Sequence, residues 1–164
     1  GFMKIGLYSE AARQSVTLCR NWIEEQGFVP TPEGIREFRQ AVMSLDDVNP
    51  IKDIVKWTDF YSMSMCRDLV FHVQEHQLTL PRIKSVLDDL QLCCLSMTIS
   101  NPLFRKEYLS MYPDDRKLIN LDKLHEYEQH NDRTFRDMYQ FWCCRKGSVT
   151  AERPPAWFYT VGQS

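Results

Sequence analysis

A short motif near the middle of the chain carries the residue types of a zinc site. His72-Val-Gln-Glu-His76 matches H-x-x-E-H, the signature of the inverted zinc peptidases. That chemistry requires both histidines on one helical face, Glu75 as the general base and a distant acidic third ligand. The motif fixes only three of its five positions, and Thr79-Leu-Pro81 begins a new helix three residues later, which places the motif in a loop. A zinc hydrolase is therefore a remote alternative, and no metal site is predicted.

The same part of the chain holds its densest set of functional side-chain types. The candidate pocket residues are the three fixed motif residues, His72, Glu75 and His76, together with Asp59, Tyr61 and Arg67. Two interpretations stay open. They form the wall of a binding pocket, or they form a solvated helix–loop surface with internal salt bridges.

Other catalytic and cofactor signatures are missing from the sequence. The six glycines, at positions 1, 6, 27, 34, 147 and 162, form neither G-x-G-x-x-G nor a phosphate-binding loop. No serine lies in a G-x-S-x-G elbow, so Ser-His-Asp catalysis is not assigned. The catalytic residues therefore remain unknown at this level.

The six cysteines do not have the spacing of a structural zinc site. They are Cys19, Cys66, Cys93, Cys94, Cys143 and Cys144, and no C-x-x-C occurs. Adjacent residues on a strand point to opposite faces, so each doublet contributes at most one thiol to a shared site. Reduced, mostly buried thiols in a cytoplasmic protein are expected.

Length, charge and hydropathy limit the class of protein. The chain has 164 residues, 43% hydrophobic and 26% charged, which favours one folded domain. A formal charge of −2 without like-charge blocks gives no electrostatic attraction to nucleic acid or anionic lipid. Apolar stretches fall short of the ~20 residues of a membrane helix. The start, inside an apolar segment with Met at position 3 and without a signal peptide, favours a fragment of a longer cytoplasmic protein.

The elements that must position these residues are mostly helical. Three segments have the composition of strands: 2–8, 92–99 and 138–144. Caps and apolar periodicity predict helices from Glu10 (capped by Ser9) to Gly27, from Thr31-Pro32, over 51–57 and 63–71, from Thr79-Leu-Pro81, over 102–112 and over 121–130. Residues 147–164 have no clear period and are predicted to be a tail. The expected fold class is α+β.

Three segments resemble one family. "GFMKIGLYSE" resembles the fifth strand of class I S-adenosylmethionine-dependent methyltransferases. "DFYSMSMCRDLVFHVQEHQLTLPRIKSVLDDLQLCCLSMTI" resembles a group of bacterial methyltransferases, some with tetratricopeptide repeats upstream. "PDDRKLINLDKLHEYEQHNDRTFRDMYQFW" fits the C-terminal end of the same group. The resemblance covers roughly residues 1–146.

The resemblance implies a specific arrangement. Segments 92–99 and 138–144 would be the sixth and seventh strands of a Rossmann-like sheet, giving a three-stranded order of 2–8, 138–144, 92–99. Residues 1–146 would be a single C-terminal domain, with a helical insertion at 31–91 covering the substrate. The family's first four strands, which hold S-adenosylmethionine, have no counterpart here, so no cofactor-binding residue is assigned. The cofactor belongs to the parent enzyme, and the partner is its N-terminal cofactor-binding half.

The chain is expected to form the C-terminal, substrate-side part of such a methyltransferase. Tyr8 and Ser9, at the carboxyl end of a sheet strand, are substrate-pocket candidates because α/β folds bind ligands there. The alternative is a helical regulatory or protein-interaction module attached to a methyltransferase. The methyl acceptor stays open. The unpaired edge of segment 2–8, with Lys4 as its only charge, also predicts self-association as a homodimer.

Overall fold

The backbone of the computed structural model, described for residues 1–71, 75–136 and 138–148, is α+β, as predicted. The strands are β1 (Phe2–Ser9), β2 (Gln77–Leu78), β3 (Leu92–Thr98) and β4 (Tyr139–Arg145). The α-helices are α1 (Gln14–Gln26), α2 (Pro32–Met43), α3 (Met63–Val70), α4 (Leu80–Asp89), α5 (Pro102–Met111) and α6 (Leu121–His130). Two 3-10 helices lie between α2 and α3, at Pro50–Lys56 and Thr58–Tyr61. Most of the predicted tail lies outside the described residues.

The strands form one sheet in the order β2-β1-β4-β3. β4 runs antiparallel to both of its neighbours, with Leu7 opposite Tyr139 and Met97 opposite Phe141. The three longer strands therefore lie in the predicted order. The prediction of only three strands is wrong, because the two-residue β2 adds a fourth. A strand of this length shows no period-two alternation, so sequence patterning gives no sign of it.

Polar caps determine where several helices begin. The Thr31 hydroxyl accepts a hydrogen bond from the Gly34 nitrogen at 3.2 Å, and Pro32 occupies the first turn of α2. Thr79 caps α4 in the same way. The predicted start of α1 is wrong, since Ser9 is the last residue of β1 and α1 begins at Gln14. Ser9 does not cap the helix, because its hydroxyl binds a carboxylate of the sheet-bearing part of the chain.

The chain divides into two compact units with separate cores. The first unit comprises Gly1–Ser9 and the chain from Leu78 onward, and the second comprises Glu10–Gln77. The helical insertion expected over 31–91 stays a prediction. The first core is built around the buried Leu80, Leu124, Tyr139 and Phe141. The second is built around residues that include Val16, Phe38, Ile54 and Phe60.

Membrane insertion through a helix finds no support in the described part of the chain. None of its helices has both the length and the apolar character that crossing a bilayer requires.

Candidate functional site

A buried carboxylate lies at the carboxyl end of β1. The Ser9 hydroxyl donates to Glu128 Oε1 at 2.6 Å, and the Tyr139 hydroxyl lies 2.9 Å from Oε1 and 2.7 Å from Oε2. Ser9, Glu128 and Tyr139 are each at most 1% exposed. A buried carboxylate is costly unless hydrogen bonds satisfy its oxygens, and these two hydroxyls do so. We call Ser9, Glu128 and Tyr139 the carboxylate cluster.

Three elements bring this cluster together. Ser9 ends β1 and Tyr139 begins β4, and antiparallel pairing places these two ends at the same edge of the sheet. Glu128 comes from the inward face of α6, which also buries Leu121, Leu124 and Tyr127. Sequence reasoning proposed Ser9 but missed Glu128 and Tyr139. The signal for Glu128 was present, because it lies seven residues after Leu121 and four after Leu124, on the apolar stripe.

The cluster presents a fixed hydrogen-bond acceptor at a ligand-binding edge. The Ser9 and Tyr139 hydroxyls fix the orientation of the Glu128 carboxylate, which also has interactions beyond these two. The carboxyl ends of sheet strands are where α/β folds bind ligands. Tyr8, the other candidate from β1, is half-buried beside Ser9 in sequence.

A second buried carboxylate, Asp115, supports the turn before α6. It accepts hydrogen bonds from the Tyr108 hydroxyl at 2.6 Å and from the Ile119 and Asn120 nitrogens at 2.9 and 3.1 Å. Burial and the adjacent Asp115 raise the pKa of Tyr108 well above its usual value. Because all its described partners are internal, this carboxylate stabilises the turn that carries Leu118 at a positive φ of 56°.

The first unit also has a groove of about 440 Å³ between α4, β3 and the start of α6. Two ion pairs line it, Lys84 with Asp122 and Lys146 with Asp88 at 2.8 Å. The hydrogen bond from Lys146 lowers the pKa of Asp88. Since each lysine is neutralised by an aspartate, the groove carries no excess charge for an ionic ligand. Cys93 also lines this groove.

In the second unit, Glu75 is held between two arginines. Arg13 Nε lies 3.3 Å from Oε1, and Arg20 Nη2 lies 2.8 Å from Oε2. Arg20 also donates to the Leu69 carbonyl at 2.9 Å, and the Arg13 guanidinium lies 5.1 Å from the centre of the Trp57 ring. A general base needs a free lone pair directed at substrate, whereas Glu75 is occupied by structural ion pairs.

The remaining candidates of the second unit do not converge on Glu75. His76 and Arg67 are exposed, and Asp59 contacts the neighbouring Thr58 hydroxyl at 3.5 Å. His72 lies outside the described residues. Among the residues that the structure does describe, no three His, Cys, Asp or Glu side chains are grouped so as to bind a metal ion.

Tyr61 is the candidate that borders a second groove. This groove, of about 680 Å³, is lined by Arg36, Arg39, Gln40, Met43, Ser44, Phe60 and Tyr61. Tyr61 is 55% exposed, and its ring packs edge-on against Phe60. The Arg39 guanidinium lies 5.5 Å from the Phe60 ring centre. We call it the arginine–tyrosine groove. It combines Arg39 with exposed aromatic surface, whereas Arg36 is paired with Glu33 at 3.2 Å.

No protein-family model matches the chain, and no curated protein matches it significantly.

Proposed function

We propose that the chain is the C-terminal, substrate-side part of an S-adenosylmethionine-dependent methyltransferase. The observation that supports this most is the order of the three longer strands. β4 lies between β1 and β3 and runs antiparallel to both. The resemblance implies this order for the fifth, seventh and sixth strands of the family's sheet.

The carboxylate cluster is the substrate-side feature in this proposal. It lies at the carboxyl end of β1, the edge at which the family's cofactor and acceptor would meet. Methyl transfer depends mainly on holding the acceptor in line with the methyl group. The cluster would act as a positioning element: Ser9 and Tyr139 would hold the Glu128 carboxylate, and the cluster would fix the carboxyl end of β1 beside the bound acceptor. S-adenosylmethionine, held by an N-terminal half, would supply the methyl group.

The test compares variants in the parent protein from whose reading frame the chain derives. Purified parent protein is incubated with methyl-labelled S-adenosylmethionine and cell extract, and label transfer is measured beside cofactor affinity by calorimetry. We expect Glu128→Gln to reduce transfer at least about tenfold, with cofactor affinity little changed. Glu126→Gln is the matched control and should transfer normally, because it lies on the same helix and its carboxylate accepts a hydrogen bond from the Tyr112 hydroxyl at the surface.

Two results would contradict the proposal. A parent protein that neither binds S-adenosylmethionine nor transfers its methyl group is not a methyltransferase. A micromolar cofactor site on the isolated 164-residue chain would contradict the assignment of the cofactor to the other half.

A helical regulatory or protein-interaction module is the second candidate, and the arginine–tyrosine groove favours it. The groove exposes Tyr61 and Met43 by 55% and 54% beside two arginines. Interfaces are enriched in Tyr, Met and Arg at their centres. Such a surface suits an acidic peptide carrying an apolar side chain.

One variant separates the two candidates. If the groove covers the methyl acceptor, Tyr61→Ala in the parent protein raises KM for that acceptor. If the groove binds a regulatory partner, the same variant leaves transfer kinetics unchanged and lowers affinity for a labelled acidic–aromatic peptide. Arg67→Ala, exposed on the same unit but outside the groove, should change neither.

A further inference from the structure

Two of the six thiols touch each other across the sheet. In the β3–β4 pairing, Cys93 lies opposite Cys144 and Cys94 lies opposite Cys143. The Sγ atoms of Cys93 and Cys144 are 3.4 Å apart, and all six cysteines are free thiols. Neighbouring strand residues point to opposite faces, so the doublets form two separate pairs and not one four-thiol site.

The backbone geometry of the pair suits a disulfide. Directly opposed residues of antiparallel strands have Cα atoms about 4.5–5.5 Å apart, within the range that a disulfide spans. The sulfur atoms need to approach by little more than 1 Å to reach bonding distance. Cys94 and Cys143, although also opposed, show no comparable contact between their sulfur atoms among the described interactions. Cys143 belongs to the first core, and Cys94 packs against it.

Access to solvent differs between the two partners. Cys93 is half-buried and, like Cys94, lines the 440 Å³ groove beside Lys84 and Lys146, whereas Cys144 is 1% exposed. Of the two sulfur atoms in contact, a small oxidant entering the groove therefore meets that of Cys93 before that of Cys144, and Cys94, although it also lines the groove, has no described sulfur contact with which to form a disulfide. Cys144 lies directly behind Cys93 as the resolving thiol.

We propose that Cys93 and Cys144 are a modification site, at which a peroxide converts the two thiols into a cross-strand disulfide. The Cys93 thiolate attacks one oxygen of hydrogen peroxide and breaks the O–O bond, giving a sulfenic acid and, after protonation of the leaving hydroxide, water. The Cys144 sulfur then displaces the sulfenic oxygen as a second water. Two thiols lose two electrons and two protons, and one peroxide is reduced to two waters.

The environment sets the rate of the first step. Burial, together with the neighbouring Cys144 thiol, raises the pKa of Cys93 above its usual value. Because the thiolate is the nucleophile, oxidation should be slow at neutral pH and accelerate as the pH rises. The site therefore responds to sustained oxidation and not to brief exposure.

The test is thiol counting and peptide mapping on the folded chain. The reduced protein is treated with hydrogen peroxide, unfolded in an alkylating reagent, digested and analysed by mass spectrometry. We expect a loss of 2 Da, four alkylated cysteines of the six, and one cross-linked peptide joining Cys93 to Cys144. Faster cross-linking at pH 9 than at pH 7 is also expected.

Variants identify the role of each thiol. Cys144→Ala should stop the reaction at a Cys93 sulfenic acid that dimedone traps, and Cys93→Ala should abolish the cross-link. Cys94→Ala, the matched control from the adjacent position, should still form it. An unmodified wild-type chain, an intermolecular disulfide, a cross-link through Cys94 or Cys143, or over-oxidation of Cys93 alone would each overturn the proposal. The wild-type map decides the question even if a variant fails to fold.

Discussion

Among the residues that the structure describes, two buried carboxylates of the first unit are each held by a tyrosine hydroxyl. Glu128 is held by Tyr139 and Ser9, and Asp115 by Tyr108 and two backbone nitrogens. A buried acceptor that loses its donor has no water to replace it, so the cost exceeds that of an exposed hydrogen bond. The tyrosines are therefore as important as the carboxylates to the stability of this unit.

Removing one hydroxyl tests this difference. Tyr139→Phe should lower the free energy of unfolding by about 1–3 kcal/mol, because Glu128 loses a donor while the ring stays in the core. Tyr112→Phe is the matched control, since its hydroxyl binds Glu126 at the surface and its loss should cost less than about 0.5 kcal/mol. Urea denaturation followed by circular dichroism measures both. Equal losses for the two variants would show that burial does not strengthen the bond.

Buried thiols make the fold sensitive to alkaline pH. Burial raises the pKa of Cys66 to about 11 from an ordinary value of 9.0. Between pH 9 and 11 the thiol ionises in the unfolded chain but stays protonated in the folded protein, and this favours unfolding. The contribution of the thiol to stability is therefore complete below pH 9 and is lost as the pH rises towards 11. The urea midpoint should therefore fall between pH 8.5 and 10.5 by less in Cys66→Ala than in the wild type. An identical slope in both proteins would contradict this.

At the scale of elements, local chemistry explains which parts of the fold could be predicted. Thr31-Pro32 and Thr79 act through their own helix turns, so the starts of α2 and α4 follow from a few adjacent residues. Serine is also a common helix cap, yet the Ser9 hydroxyl donates to Glu128, which lies 119 residues away in the sequence. A pattern in the local sequence cannot distinguish these two uses of a hydroxyl.

The first turn of α2 contains a glycine whose replacement by alanine should lower the stability of the protein instead of raising it. Glycine to alanine in a helix normally stabilises by about 0.5–1 kcal/mol. At Gly34, a Cβ would overlap the Val29 carbonyl oxygen and lie 3.1 Å from the Val29 nitrogen. Backbone atoms cannot rotate away, so Gly34→Ala should instead destabilise by about 1–3 kcal/mol. Gln40→Ala, exposed on the same helix, should be nearly neutral, and thermal unfolding of the two variants gives the comparison.

At the scale of the whole molecule, the sequence indicated which side chains are buried but not how many cores they form. Phe38 and Leu80 both lie on apolar helix stripes, yet they belong to different cores. Periodicity reports that a face is covered and carries no information about what covers it. For the same reason, the apolar stripe of α1 gives no sign that this helix belongs to the second unit.

Self-association through β1 remains a prediction, and the structure changes how to test it. β2 occupies the other side of β1, but it is only two residues long. Ile5 and Leu7 pack against the first core, so replacing either would damage folding as well as the edge. Met3, 45% exposed, is the better position. We expect the wild type to dimerise at high concentration in light scattering, Met3→Lys to weaken the dimer, and Lys106→Met on α5 to leave it unchanged. A monomeric wild type would contradict the edge argument.

The pairing of β1 with β4 also affects how the chain folds while it is being synthesised. The paired residues are far apart, with Leu7 opposite Tyr139 and Phe2 opposite Cys144. At typical elongation rates of roughly 5–20 residues per second, β1 waits on the order of 10 s for its partner strand to emerge from the ribosome. All of Glu10–Gln77, by contrast, is available to form its own core well before then. An apolar strand without its partner for that time is a natural substrate for chaperones, so the yield of this fold should depend on translation speed more than its final stability would suggest.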